Sequence, residues 1–252
     1  MRKRWMGLVL AMLFLGPRAE AQESTAARFN RAVELYQAGK VEEALKEFEQ
    51  VVQQDPKDVT ALCWVGVIRL QKGDWDGAIA ALEQAVKLNP NYALAHNNLG
   101  TAYLRKGQVD AAMLEYQKAL DLEPDYADAH YNLANLYLQR KDYARAITHY
   151  RRSLEKAPKS PEAYNNLGCA HHLQGQLDAA IAAYAQATQL APNNSLFWSN
   201  LGLAQRQRGN LKEALQALQK AVQLDPKNFV ACMNLGLTYL EEDNLEAAVK
   251  FL

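Results

Sequence analysis

No sign of charge prevails in this chain, cysteine is scarce, and past the first 21 residues no apolar run is long enough to cross a membrane. Lys and Arg number 28, Asp and Glu also 28, and there are three cysteines. The balance excludes the basic excess that drives bulk attraction to nucleic acid or anionic lipid. The first 21 residues read as an export leader. Arg2, Lys3 and Arg4 precede a short apolar run at 6–15, and Ala19-Glu20-Ala21 offers small residues for cleavage before Gln22. The run is too short to anchor the chain in a bilayer, and no lipid-accepting cysteine follows it. Removing the segment takes four basic residues (Arg2, Lys3, Arg4, Arg18) and one acidic residue (Glu20). That leaves 24 basic against 27 acidic, a formal net of −3. The expectation is an exported chain, periplasmic or secreted, not inserted in a membrane once the leader is gone.

What the chain does have is a period. Pro56, Pro90, Pro124, Pro158, Pro192 and Pro226 follow one another at intervals of 34 residues. Between them recur "HNNLGTAYLRKGQVDAA", "YNNLGCAHHLQGQLDAA" and "WSNLGLAQRQRGNLKEA". A glycine sits midway in most copies (Gly39, Gly73, Gly107, Gly175, Gly209), with Lys141 and Asp243 in its place twice. Each copy reads as two amphipathic helices joined by a tight turn, the proline ending the second. Ser160-Pro161 reads as an N-cap followed by the favoured first-turn proline.

With each proline at position 32, small residues fall at position 8: Ala32, Gly66, Gly100, Ala134, Gly168, Gly202 and Gly236. Alanine falls at position 20 (Ala44, Ala78, Ala112, Ala146, Ala180, Ala214, Ala248). A large residue falls at position 24 (Phe48, Leu82, Tyr116, Tyr150, Tyr184, Leu218, Leu252). This pattern resembles the tetratricopeptide repeat family over the whole chain after the leader. The resemblance implies an all-α, right-handed superhelical solenoid of about seven 34-residue helix-turn-helix repeats. The domain is expected over 22–252, with repeats at 25–58, 59–92, 93–126, 127–160, 161–194, 195–228 and an incomplete one at 229–252. It implies, too, that the first helix of each repeat lines a concave groove where partners bind. A fold of this kind carries no chemistry by itself.

The stretch "YNNLGCAHHLQGQ" at 164–176 puts a cysteine and two histidines close together. His171 falls at position 11, where Tyr103, Tyr137 and Tyr239 stand in other copies, and reads as packing. Cys169 and His172 are three apart and share a helix face. A metal site needs three or four ligands, and the neighbouring positions offer Asn135, Leu138, Gln139, Leu196, Ser199 and Leu203, none a soft ligand. A Cys–His nucleophile lacks an orienting group and an oxyanion hole. Neither metal, cofactor nor catalytic residue is expected, and the chain is not read as an enzyme. Cys63, Cys169 and Cys232 lie in three different repeats, too far apart for an internal disulfide.

Position 6 carries Asn30, Trp64, Asn98, Asn132, Asn166, Asn200 and Asn234. A column of carboxamides, each donor and acceptor, suits the main chain of an extended peptide. It resembles the asparagine ladder in the repeat arm of O-linked N-acetylglucosamine transferases. Equally, such a column serves hydrogen bonds within the stack, and Trp64 serves either as an aromatic anchor or as packing. Asn97, Tyr131 and Asn165 at position 5 and Asn135 at position 9 complete the expected groove lining, which is otherwise apolar with few charges. The carboxylate clamp of family members that grip heat-shock proteins would place cations at Tyr131, Leu196 and Asn200, where none is basic. The expected function is a non-enzymatic scaffold of the bacterial cell envelope, binding an extended or helical segment of protein in its groove. Because "LEAAVKFL" is not a polar cap, two alternatives stand beside it. One is the recognition arm of a longer, glycosyltransferase-like enzyme cut after residue 252; the other is a structural protein self-associating through its uncapped last helix.

Overall fold

The structure is a computed structural model describing residues 24–252, so the expected leader at 1–21 lies outside the described residues. These form fourteen α-helices and no strand. They fall into two units divided after Pro56.

The first unit holds α1 (Thr25–Gln37) and α2 (Val41–Gln54). Ser24 caps α1 by accepting from the Ala27 amide at 3.2 Å. The two helices close over Ala32, Ala44, Leu45, Phe48 and Val51, with Phe29 edge-on to Phe48 at 5.3 Å. Arg28 and Glu47 pair across them at 3.0 Å.

The second unit is a solenoid of six helix pairs. These are α3 (Val59–Lys72) with α4 (Trp75–Leu88), α5 (Ala93–Arg105) with α6 (Val109–Leu122), and α7 (Ala127–Gln139) with α8 (Tyr143–Lys156). There follow α9 (Pro161–Leu173) with α10 (Leu177–Leu190), α11 (Ser195–Arg208) with α12 (Leu211–Leu224), and α13 (Phe229–Glu241) with the short α14 (Leu245–Val249). Each even helix packs on its own partner and on the next odd helix, and successive odd helices also touch one another. The odd helices therefore form the inner layer of the stack.

The pattern of small and large residues explains the close pairing. A Cβ on Gly100 would stand 2.8 Å from the Tyr116 ring, and one on Gly168 2.6 Å from that of Tyr184. A small residue at position 8, glycine against Tyr116 and Tyr184 and Ala134 against Tyr150, thus seats the large side chain of position 24 in the same repeat, where all three tyrosines are buried. Between the paired helices the chain turns through a left-handed residue. Gly175 has φ +80°, its amide donating to His172 O at 2.9 Å and the Gln176 amide to His171 O at 2.9 Å. Lys141 and Asp243 adopt the same conformation, φ +60° and +58°, without glycine's freedom. Ser160 caps α9, accepting from the Ala163 amide at 3.3 Å with Pro161 at the first position, as the sequence indicates.

Position 4 has a recurrent task. His96 Nε2 lies 2.9 Å from Pro90 O, His130 Nε2 2.9 Å from Pro124 O, and Trp198 Nε1 donates to Pro192 O at 2.8 Å. A carbonyl only accepts, so both histidines present Nε2–H, which ties each repeat to the proline closing the one before it.

Candidate functional site: the inner face

Residues at positions 2, 6, 9 and 13 of an odd helix share one stripe, because successive steps of three and four residues return to the same face. At position 2 stand Leu94, Asp128, Glu162, Leu196 and Val230, all exposed. At position 6, Asn98, Asn132, Asn166 and Asn200 are half-buried, and Asn234 is 3% exposed. Trp64 is half-buried on α3, and Asn30 is exposed on α1 of the first unit.

The amide row bonds across repeats. Asn132 Nδ2 donates to Asn97 Oδ1 at 3.1 Å, Asn166 Nδ2 to Asn135 Oδ1 at 3.0 Å, and Asn200 Nδ2 to Asn165 Oδ1 at 2.8 Å. Asn165 donates back to Asn166 Oδ1 at 3.2 Å, and Tyr150 OH donates to Asn135 Oδ1 at 2.5 Å. A continuous network therefore runs from the Tyr150 hydroxyl through α7 and α9 to Asn200 on α11. Asn97 and Asn165 are each only 6% exposed, so they serve as acceptors for the next repeat rather than as open groove surface. Asn234 is buried too, its Nδ2 turned to Val230 O at 2.9 Å on its own helix. These three are corrections to the expected lining, and the reason is physical: buried carboxamides take hydrogen-bond partners, Asn97 and Asn165 in the adjacent repeat and Asn234 on its own helix. Tyr131 stays half-buried, edge-on to Tyr150 at 6.0 Å, its hydroxyl 3.4 Å from Asn166 Nδ2. Asn98 has no side-chain partner among the described residues.

Cys169 has a structural employment that the sequence reading did not find. The Tyr184 hydroxyl donates to its Sγ at 3.3 Å. Tyr150 does the same to Asn135, and the Tyr116 hydroxyl lies 3.1 Å from Thr101 Oγ1. In each case position 24 reaches position 9. Burial pushes the Cys169 thiol up, the Tyr184 bond only partly opposing it, which is the reverse of what a thiolate nucleophile needs. His172 pairs with Gln207 Oε1 at 2.6 Å, in the next repeat. His171 is buried against Gln176 Oε1 at 2.6 Å, its basicity lowered by that burial. Cys169, His171 and His172 are thus three residues with three separate structural partners. Among the described residues no group of three or more possible metal-ligating side chains forms, and Cys63, Cys169 and Cys232 are free thiols.

His130 Nδ1 meets His149 Nδ1 at 2.9 Å, joining α7 to α8. The equivalent slot holds Arg28–Glu47 in the first repeat and His96–Glu115 at 2.6 Å in the third, both position 4 against position 23.

Exposed apolar side chains gather on the last three odd helices: Leu173, Leu196, Val230, Met233 and Leu240. The inner face thus passes from amides and carboxylates on α7 and α9 to apolar side chains on α11 and α13. Two surface hollows lie elsewhere, one of about 520 Å³ beside His96 and Glu115 and another of about 650 Å³ beside Tyr103 and Val109, while a third of about 620 Å³ beside Asn194 and Asn228 reaches the strip at Leu196. The inner face is an open strip rather than an enclosed pocket.

Comparison with known proteins agrees with this architecture. Residues 92–252 match the model of the cilia and flagella-associated protein 70 C-terminal domain, residues 66–107 that of a TPR repeat, and residues 25–58 that of the tetratricopeptide repeat. No curated protein matches the chain. Among solved structures, the APC/C hetero-tetramer Cut9–Hcn1 is similar at TM-score 0.72 and 21% identity. The match covers 87% of this chain but only 43% of that one. A structure of MamA is similar at TM-score 0.60 and 28% identity, covering 65% and 95%. YrrB, described as a TPR protein with an unusual peptide-binding site, is similar at TM-score 0.64 and 22% identity, covering 73% and 95%.

Proposed function

Since the chain belongs to the tetratricopeptide repeat family, we propose that it is a scaffold of the bacterial cell envelope that holds an extended segment of another protein along its inner face. One observation carries this reading: Asn98, Asn132, Asn166 and Asn200 stand half-exposed in register on four successive odd helices. Cross-repeat bonds use one N–H of Asn132 and of Asn200, while their Oδ1 atoms have no partner among the described residues. Carboxamide oxygens fixed in this way accept from peptide N–H groups without the entropy cost of ordering a free side chain. The export leader read at 1–21 supports the envelope assignment. N-terminal sequencing of the protein recovered from its host tests it, with Gln22 expected as the first residue.

The groove reading is tested with a photo-crosslinking residue at Tyr131 and a control at Gln186, exposed on α10. The expected result is a product formed from Tyr131 alone and mapping to one linear segment of the partner. A synthetic copy of that segment should then bind the purified protein and lose affinity on Asn98→Ala. Asn98 is the cleanest position, being free of bonds to the fold. Equal crosslinking from Gln186, or binding indifferent to Asn98, overturns the proposal.

A further inference from the structure

We infer that the segment taken by the inner face carries basic side chains at its centre and apolar ones at both ends; this rests on the reading that the inner face binds a peptide, and specifies its partner. The position-2 column reads Leu94, Asp128, Glu162, Leu196, Val230 along α5, α7, α9, α11 and α13. All five are exposed, Leu196 at 55% and Val230 at 51%. Elsewhere on the solenoid some exposed carboxylates are matched, Asp76 by Lys106, Asp110 by Arg140, Asp125 by Lys156 and Asp178 by Arg208, while others such as Glu123, Glu213 and Asp225 are not, so it is the place of Asp128 and Glu162 in the position-2 column that sets them apart. Asp128 and Glu162 have no ion-pair partner among the described residues. Above them on the same stripes lie Asn132, Asn135 and Gln139, and Asn166, Cys169 and Leu173, with no cation in either set. Arg206, at position 12 of the sixth repeat, is held by Glu241 at 3.4 Å.

Each carboxylate also sits in the first turn of its helix, where negative charge is favourable in any case. That accounts for an acid at one position 2, but not for two acids in consecutive repeats bracketed by exposed leucines. The column is complementary to a strand of pattern apolar–basic–basic–apolar. Stacked helices lie about 8–10 Å apart, and an extended chain advances about 3.3 Å per residue. One repeat therefore corresponds to about three residues, the two basic side chains fall about three apart, and the whole occupant is about ten to twelve residues long. Nucleic acid and anionic membrane are disfavoured by the same carboxylates.

The test uses three fluorescent synthetic 12-residue peptides with leucine and valine near each end, identical except for two central residues three apart: both Lys, both Gln or both Glu. The Lys peptide is expected to bind about tenfold tighter than the Glu peptide at low salt, with the gap closing as salt rises. Asp128→Asn with Glu162→Gln should remove the gap, and Asp128→Lys with Glu162→Lys should invert it. A thermal melt of each variant confirms folding. Equal affinity for all three peptides, lost on Leu196→Ser, overturns the charge preference and leaves the peptide reading intact. A gap that survives both double variants places the charge elsewhere and overturns the inference. Binding of none of them at about 1 mM overturns it as well, and the crosslinking from Tyr131 then decides the groove reading independently.

Discussion

Lys141 shows what a single residue costs in this fold. Its amide donates to Leu138 O at 3.0 Å and the Asp142 amide to Tyr137 O at 2.9 Å, the same closure that Gly175 makes after α9. The turn fixes the left-handed conformation whatever residue occupies it, and a side chain there costs about 1–2 kcal/mol. Glycine would relieve that strain but give back part of it in unfolded-state entropy. Lys141→Gly is therefore expected to stabilise the protein by about 0.5–1 kcal/mol. A urea melt should show a raised midpoint at constant slope; an unchanged or lowered midpoint contradicts it. A second residue-scale rule joins positions 9 and 24. Where position 24 is tyrosine, position 9 is Thr101, Asn135 or Cys169; where it is phenylalanine or leucine, position 9 is Val33, Val67, Leu203 or Leu237. The hydroxyl of a buried tyrosine must be satisfied, so polarity at the two positions comes and goes together. Asn135→Leu is expected to cost about 1–3 kcal/mol by stranding the Tyr150 hydroxyl, and Tyr150→Phe in the same chain should recover part of it. Additive losses in that double-mutant cycle would show that the 2.5 Å bond contributes nothing of its own. This pairing stands in the sequence in plain view. It is hidden from a reading that searches for chemistry in Cys169, because the partner lies 15 residues away on another helix.

Between elements, the most informative contact is that of α7 with α8 through His130 and His149. His130 Nε2–H is committed to Pro124 O, so a neutral His130 accepts at Nδ1 from His149 Nδ1–H, and the pair holds a proton between them. Charging both rings would set two N–H groups head to head. His149 is accordingly driven down from 6.5 to about 4, first by burial, then by His130 and Arg145. Tyr137 stacks on its ring at 5.4 Å and itself carries the Arg145 guanidinium over its ring at 4.4 Å, while Asp125, which interacts electrostatically with His130, is held by Lys156. Because the folded pKa lies below the unfolded one, the contribution is complete above about pH 6.5 and is lost as pH falls towards 4. His149→Glu would recreate the His96–Glu115 arrangement of the preceding repeat. Thermal midpoints of the parent are expected to drop between those pH values more steeply than those of His149→Glu; parallel curves would remove the pair from the account. At this scale the sequence shows helices, turns and caps clearly, since proline, glycine and small residues mark them at fixed intervals. It does not show which faces meet. Positions 4 and 23 become neighbours only once the helices pair, although Arg28 with Glu47 and His96 with Glu115 carry the same signal.

For the molecule as a whole, the 34-residue period makes the fold legible from end to end, because each repeat restates the same packing rule. The amide row is legible as a row but not as a bonded network, since carboxamide direction depends on partners 31 to 35 residues distant. That network gives the solenoid an uneven stiffness. A stack of repeats is stabilised by each unit and each junction in turn, and the junctions of α7 with α9 and of α9 with α11 are laced by Asn135, Asn166, Asn165 and Asn200. The exposed ion pair that links position 14 to position 18 of the preceding repeat is absent where Gln174 faces Ala144, so this junction depends on the amides instead. By contrast α14 is five residues long, with only Ala248 buried and Leu245 and Val249 exposed. Native-state hydrogen exchange is therefore expected to show α14 opening at the lowest free energy in the second unit, and α7 to α11 at the highest. Asn166→Ala should lower protection of α7, α9 and α11 together by about 1–2 kcal/mol and leave α13 unchanged. A fall confined to α9 would mean that the bonds are local ornaments of one helix, whereas a joint fall would show that the row we propose as the peptide-binding surface also holds the repeats in register.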